Sequence, residues 1–292
     1  MSPPDDHISL HEAAEQLGVH YMTAYRYVRT GRLDAVKAGA VWRVRRSDLE
    51  VFARRQGAEA VVAASDPGAP RRRVAFGRRL EERLIAGDEA GSWTVIEAAM
   101  AAGAEPEEIY LDVIVPALRS IGERWAGDEL SIAREHEASA VALRVVGRLG
   151  PRFARRGRKR GTIVLGAPPH DLYTLPSAIL ADLLRGRGFH VIELGANTPA
   201  VSFVDAASRA DRLLAVGISS TLRGNESAVA AVIAALRAAG LEVPIVLGGG
   251  AWPDAEAARE IGADAWADSG RVAVEVFDAV VRRPATTRPP AP

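Results

Sequence analysis

The chain has 292 residues, with 37 bases against 37 acids and no cysteine. That length predicts about two or three domains, and 48% hydrophobic with 25% charged residues is a globular composition. Net charge is zero, and the missing thiols exclude disulfides, thiolate metal sites, cysteine nucleophiles and iron–sulfur clusters. No run approaches about 18 apolar residues, and the opening MSPPDDHISL carries acids where a secretion signal needs bases. The expectation is a cytoplasmic chain with no membrane partner.

Residues 1–56 alternate signals on a short scale. Ser9-x-x-Glu12 is a capping box that opens a helix through Leu17. Gly18 ends it, and a second helical run, YMTAYRYVRTG, stops at Gly31. LDAVKAGAVWRVRR then alternates around Lys37-Ala38-Gly39-Ala40, a hairpin pattern, and Ser47-x-x-Glu50 caps another helix. Helix, tight turn, helix, hairpin, helix is a winged helix-turn-helix plan.

Residues 21–55 hold nine bases against three acids, a local charge of +6 in a neutral chain. Neutralised phosphates drive salt-dependent DNA affinity, so this concentration suits a double-stranded operator. Tyr21, Thr23, Arg26, Tyr27 and Arg29 on the second helix are placed to reach groove edges or phosphates. Lys37 at the hairpin tip, with Trp42, Arg43 and Arg45 on the return strand, completes the candidate surface. One small domain makes few base contacts, and no long heptad arm is present. Self-association as a dimer or tetramer therefore falls to the rest of the chain.

Residues 57–75 are small, Pro/Gly-bearing and aperiodic, and read as a linker. Four helical segments follow over 76–150, among them one opened by Pro106 with Ile109, Val113, Leu118 and Ile121 on one side. Residues 150–160, GPRFARRGRKR, read as a second connection carrying six bases. Apolar runs at 162–166, 190–194, 213–218, 244–248 and 264–267 alternate with helical stretches through 284. Five such units imply a parallel, Rossmann-like (flavodoxin-like) sheet that binds ligands at the C-terminal ends of its strands. The tail, 285–292, is expected to be disordered. The fold class is thus multidomain α and α/β.

The residues 9–52 resemble the MerR/excisionase-type winged helix. Trp125-Ala-Gly-Asp-Glu-Leu-Ser-Ile-Ala-Arg-Glu135-His136, in a helical bundle before an α/β domain, widens that resemblance to the cobalamin-binding regulators of MerR type. These are light-responsive repressors that use adenosylcobalamin. The resemblance implies that Trp125, Glu135 and His136 close over the upper face of the corrin. The family's Ser-x-Leu after the third strand is Ser220-Thr221-Leu222 here, and its Gly-Gly after the fourth is Gly248-Gly249.

The first loop departs from the family's Asp/Glu-x-His-x-x-Gly. Aligning Asp171 puts Tyr173 where the family has its lower axial histidine and Pro176 where it has glycine. A neutral imidazole ligates cobalt at neutral pH, whereas a phenol with a reference pKa of about 10 must first lose a proton. His170 and His136 are the remaining cobalt-ligand candidates, and Ala126 stands where light-responsive members carry a histidine. Three occupants stay open: adenosylcobalamin or another cobalamin, a different tetrapyrrole such as a bilin or haem, or an antagonist protein alone. The sequence has no Gly-x-Ser-x-Gly, His-Glu-x-x-His or phosphate loop, and the expectation is a nucleoid-associated regulator that is not an enzyme. A corrinoid carrier for methyl transfer is the enzymatic alternative.

Overall fold

A computed structural model describes residues 7–17, 24, 27–28, 33–38, 41–53 and 69–282, which fall in two compact units divided in the sequence after Arg72. Tyr21, Thr23, Arg26 and Arg29, the tip residues Gly39 and Ala40, residues 57–68 and the tail lie outside the described residues. No helix among the described residues is long and apolar enough to cross a membrane.

The first unit contains a three-stranded antiparallel sheet in the order β1-β3-β2, built from β1 His7–Ser9, β2 Ala35–Ala38 and β3 Val41–Arg45. The hairpin is as its alternation requires, with Lys37 opposite Trp42 in register. The third strand, β1, is too short to leave a pattern. Helix α1, Leu10–Gln16, starts from the expected box: the Glu12 N–H donates to Ser9 Oγ at 3.2 Å, and the Ser9 N–H donates to Glu12 Oε2 at 2.8 Å. These bonds from Ser9 hold the Glu12 carboxyl below its ordinary range. Helix α2, residues 46–53, returns Leu49 and Phe52 to a core with Ile8, Leu10, Ala13, Leu33 and Val44.

Helix α3, Ala69–Ile85, begins inside the stretch expected to be linker and leads into the second unit. Helix α4, Glu89–Ala101, is capped by Asp88, whose Oδ1 accepts from the Gly91 N–H. Helix α5 runs through Pro106–Glu108, a π-helical turn at Ile109–Ile114, and Val115–Ala126. Pro116 has no N–H to continue the ordinary ladder, and the Val115 N–H reaches Tyr110 O instead. Helix α6, Ile132–Leu149, is capped by Ser131 and passes into a short 3-10 turn, Gly150–Phe153.

The sheet that follows has the order β5-β4-β6-β7-β8, all parallel. Its strands are β4 Thr162–Gly166, β5 His190–Glu193, β6 Leu213–Ser219, β7 Ile245–Gly248 and β8 Ala265–Ala267. Each lies within about a residue or two of its apolar run, because a buried parallel strand is apolar on both faces. Helices α8 Ala200–Arg209, α9 Glu226–Ala238 and α10 Ala255–Glu260 contribute to the core on one face. Helices α7 Leu175–Gly186 and α11 Gly270–Arg282 cover the other. The bundle core continues through Ile179, Leu183 and Val274 of α7 and α11, so bundle and sheet form one unit.

Residues 150–160 are not a free tether. Phe153 is buried and stacked on Tyr110 with ring centroids 4.7 Å apart. Arg160, at the other end of the stretch, lies over the Phe189 ring at 4.1 Å and pairs with Asp278 at 2.5 Å.

Candidate functional site

In a sheet of this order the chain leaves the central strand in opposite directions, opening a crevice at the C-terminal ends of β4 and β6. The β4 loop is fastened across that crevice by Asp171. The Thr221 N–H donates to its Oδ2 at 2.5 Å, and the Tyr173 N–H donates to its Oδ1 at 3.2 Å. The Asp171 side chain is wholly buried and serves the backbone of two loops. Asn197 and Asn225 brace the same loop: Asn197 Oδ1 accepts from the His170 N–H at 2.8 Å, and Asn225 Nδ2 donates to Pro169 O at 2.9 Å. His170 itself is exposed, with φ of 70°.

The β6 and β7 loops lie against each other. The Ser220 N–H donates to Gly248 O at 2.9 Å, and the Ala251 N–H donates to Ser220 O at 3.2 Å. A Cβ on Gly249 would stand 2.1 Å from Ser220 O, and its φ of 97° is left-handed. Only glycine permits this approach. Gly250 faces open space. The Ser220 and Thr221 hydroxyls and the Trp252 indole N–H are buried here without a hydrogen-bond partner. Buried polar atoms are nearly always paired, so the β6 and β7 loops carry polar groups that a polar ligand tail would satisfy.

The bundle supplies the opposite wall. Glu135 and His136 begin α6, with His136 Nε2 at 3.7 Å from Glu135 Oε2, and Ser139 Oγ donates to Glu135 Oε1 at 2.7 Å. Glu135 is largely covered, whereas the His136 side chain is 75% exposed. The Tyr173 phenol is pushed up by burial, and the Glu135 and Asp171 carboxylates push it further. Glu135 of the bundle thus lies close enough to Tyr173 of the β4 loop to act on it electrostatically. Around them Trp125, Ile132, Leu172 and Leu222 leave large apolar surface exposed, Leu172 to 71%. Apolar rims of this kind mark binding sites.

Of the sequence-derived site residues, the structure gathers Asp171, Tyr173, Ser220, Leu222, Gly248 and Gly249 at one end of the sheet, and Trp125, Glu135 and His136 on neighbouring ends of two bundle helices. Thr221, Asn197, Asn225 and Trp252 were not in that set. Thr221 lies inside the Ser-x-Leu motif at the position the motif leaves blank. On the first unit, Arg43 and Arg45 are exposed and Trp42 is half-buried, while the Lys37 side chain is not among those described. Tyr27 is corrected: it is 7% exposed and packs on Phe52 at 4.8 Å, so its ring belongs to the core.

Comparisons with known proteins follow this division. Residues 8–57 match a helix-turn-helix domain, and residues 77–149 and 161–278 each match a B12 binding domain. A dimethylamine corrinoid protein of Methanosarcina barkeri is 29% identical over 58% of this chain and 81% of its own. A corrinoid protein of Desulfitobacterium hafniense is 26% identical over 69% of this chain and 95% of its own. The solved monomethylamine corrinoid protein of Methanosarcina barkeri superposes with a TM-score of 0.62 at 17% identity, over 70% of this chain and 98% of that one, a likeness of fold. The chain carries a helix-turn-helix domain and a B12-binding region of helical bundle and parallel sheet, and cobalamin is its cofactor.

The crevice fits that cofactor in one part and not in another. Orphaned hydroxyls and the glycine approach suit a polar tail inserted beside β6. Where the resemblance implies a cobalt-ligating histidine, the β4 loop carries Tyr173. Burial and the Glu135 and Asp171 carboxylates keep its phenol neutral, and it would be a poor cobalt ligand. Among the described residues no three histidines or carboxylates gather to hold a metal.

Proposed function

We propose that this chain is a DNA-binding transcription regulator of MerR type, a repressor, whose assembly and DNA affinity are set by cobalamin between bundle and sheet. The observation that carries the reading is the pairing in one chain of a helix-turn-helix domain with a B12-binding region. The exposed Arg43 and Arg45 of the wing supply phosphate contacts. Ser220, Thr221 and Gly248–Gly250 would hold the cofactor's tail, and Trp125, Glu135 and His136 would cover it from the bundle side. The neutral Tyr173 phenol would not ligate its metal. Adenosylcobalamin, whose upper bond is light-sensitive, makes illumination a further input.

Such control requires the cofactor to bind one assembly better than another, by about 1.4 kcal/mol for each tenfold shift in population. The test is an absorption spectrum of dark-purified protein after incubation with adenosylcobalamin and desalting. Size-exclusion runs and gel shifts on duplexes selected from genomic fragments follow, in darkness and after illumination. A retained corrinoid band with a change in size and DNA affinity supports the reading. Protein that retains corrinoid but binds no DNA in any state sinks it.

A second reading, a corrinoid carrier for methyl transfer, draws on the names of the relatives. Tyr173 in the lower position and the helix-turn-helix domain weigh against it. Methyl transfer from a methylated corrinoid to a thiol acceptor, measured with a partner methyltransferase, decides between them.

A further inference from the structure

We infer that the basic loop between bundle and sheet, residues 152–160, is a second DNA-contacting surface that grips phosphates without reading sequence. The inference rests on the reading of the chain as a DNA-binding protein. Arg152, Arg155, Arg156 and Arg158 are exposed, Lys159 is half-exposed, and none has an acidic partner among the described residues. The exposed Arg212 donates to Arg160 O at 3.2 Å and adds a sixth cation beside them. Asp278, the acid that reaches this loop, is engaged by Arg160.

In a chain of zero net charge, most other arginines of this unit are paired: Arg83 with Asp88, Arg144 with Glu89, Arg209 with Asp205, Arg271 with Asp112. Crowding unpaired cations into one loop works against folding through self-repulsion, and a polyanion relieves it. The loop is also held in place beforehand. Phe153 anchors one end against Tyr110, and Arg160 anchors the other against Phe189 and Asp278. Between them Gly157 turns the chain with φ of 97°, and Lys159 Nζ donates to Arg155 O at 2.5 Å. A pre-ordered loop loses little entropy on binding. Duplex DNA is the polyanion chosen because the same chain carries a helix-turn-helix domain, and arginine forks match phosphate oxygens.

The loop feeds the N-terminal end of β4, whereas the cobalamin crevice lies beyond its C-terminal end. Five strand residues separate the two by about 16 Å. Phosphate contact and cofactor therefore do not compete for space.

The test is a salt titration of the full chain on a labelled duplex of arbitrary sequence, ligand-free and after incubation with adenosylcobalamin in darkness. The variant carries Arg155→Ala, Arg156→Ala and Arg158→Ala, all exposed positions that leave the core untouched. Its charge-matched control carries Arg144→Ala, Arg209→Ala and Arg271→Ala. Each lost phosphate contact flattens the plot of log affinity against log salt by about 0.9, so the variant is expected to lose about 2 to 3 units of slope. Its affinity near physiological salt should fall at least roughly tenfold, with the control near wild type. An unchanged slope in the variant, or an equal loss in the control, overturns the inference while wild-type binding keeps the regulator reading standing. Wild-type protein that binds no duplex in either form overturns both.

Discussion

The Tyr110 hydroxyl donates to Asp182 Oδ2 at 2.7 Å, joining the π turn of a bundle helix to the first helix of the α/β domain. Both residues are buried, and Tyr110 also lies 3.2 Å from the Val146 carbonyl oxygen. Arg185 Nη1 donates to the other oxygen of Asp182 at 2.7 Å. Burial and the Asp182 carboxylate push the Tyr110 phenol far above its ordinary value, so it remains a donor throughout the accessible pH range. The junction between bundle and sheet is therefore both apolar and hydrogen-bonded.

Tyr110→Phe is expected to destabilise the second unit by about 1–3 kcal/mol, because a buried carboxylate oxygen loses its donor. Tyr110→Ala, which also removes the stack on Phe153, should cost about 3–5 kcal/mol. Urea unfolding followed by tryptophan fluorescence measures both. A Phe variant as stable as wild type would show that water replaces the phenol at no cost.

Gly249→Ala should abolish retention of corrinoid through a desalting column, since its Cβ is driven into the Ser220 backbone. Gly250→Ala, with nothing within 4 Å of its Cβ, tests whether the open space beside it is used. The alanine there should leave the melting temperature unchanged while weakening corrinoid retention severalfold. Equal retention in wild type and both variants would remove the crevice from the binding site.

Tyr173→His places an imidazole on the lower side. The wild-type phenol stays protonated through about pH 9, its pKa being raised from about 10. Wild-type corrinoid retention is therefore expected to be flat between pH 6 and pH 9. The variant should retain corrinoid more tightly above about pH 7 and lose that gain as pH falls through about 6.5, where a proton occupies the ligating nitrogen. Visible spectra across the pH series read the difference directly, and identical spectra for the two proteins would argue against any contact at residue 173.

Arg43→Ala and Arg45→Ala on the wing should each weaken DNA binding and flatten the salt slope by about 0.9. Arg45→Ala should leave the melting temperature unchanged, because its side chain is exposed. An unchanged slope in both would move the DNA surface off the wing.

The sheet was legible because buried parallel strands are apolar runs bounded by glycine, as at TIVLG and PIVLG. The capping box at Ser9 and Glu12 was legible for a similar reason, its partners being three residues apart. Tyr27 was misplaced because the sequence around it does not distinguish a ring turned to the core from one turned to solvent. The π turn at Ile109–Ile114 and the bond from Tyr110 to Asp182, 72 residues on, left no local pattern. Within the crevice the motif positions Ser220, Gly248 and Gly249 were readable, whereas Asn197 and Asn225 act through loops that only the fold brings together. Phe153 escaped notice because one aromatic among arginines reads as solvent-facing.

Asp182 lies seven residues along α7, which runs back from the mouth of the crevice, so it sits about 10 Å below the rim. The bundle is riveted to the sheet at that depth by Tyr110 and Phe153, while Trp125, Ile132 and Leu172 at the rim are bare. Parting bundle from sheet at the rim would therefore uncover little that is now buried, whereas parting them at the base would break the Tyr110–Asp182 bond and the Tyr110–Phe153 stack.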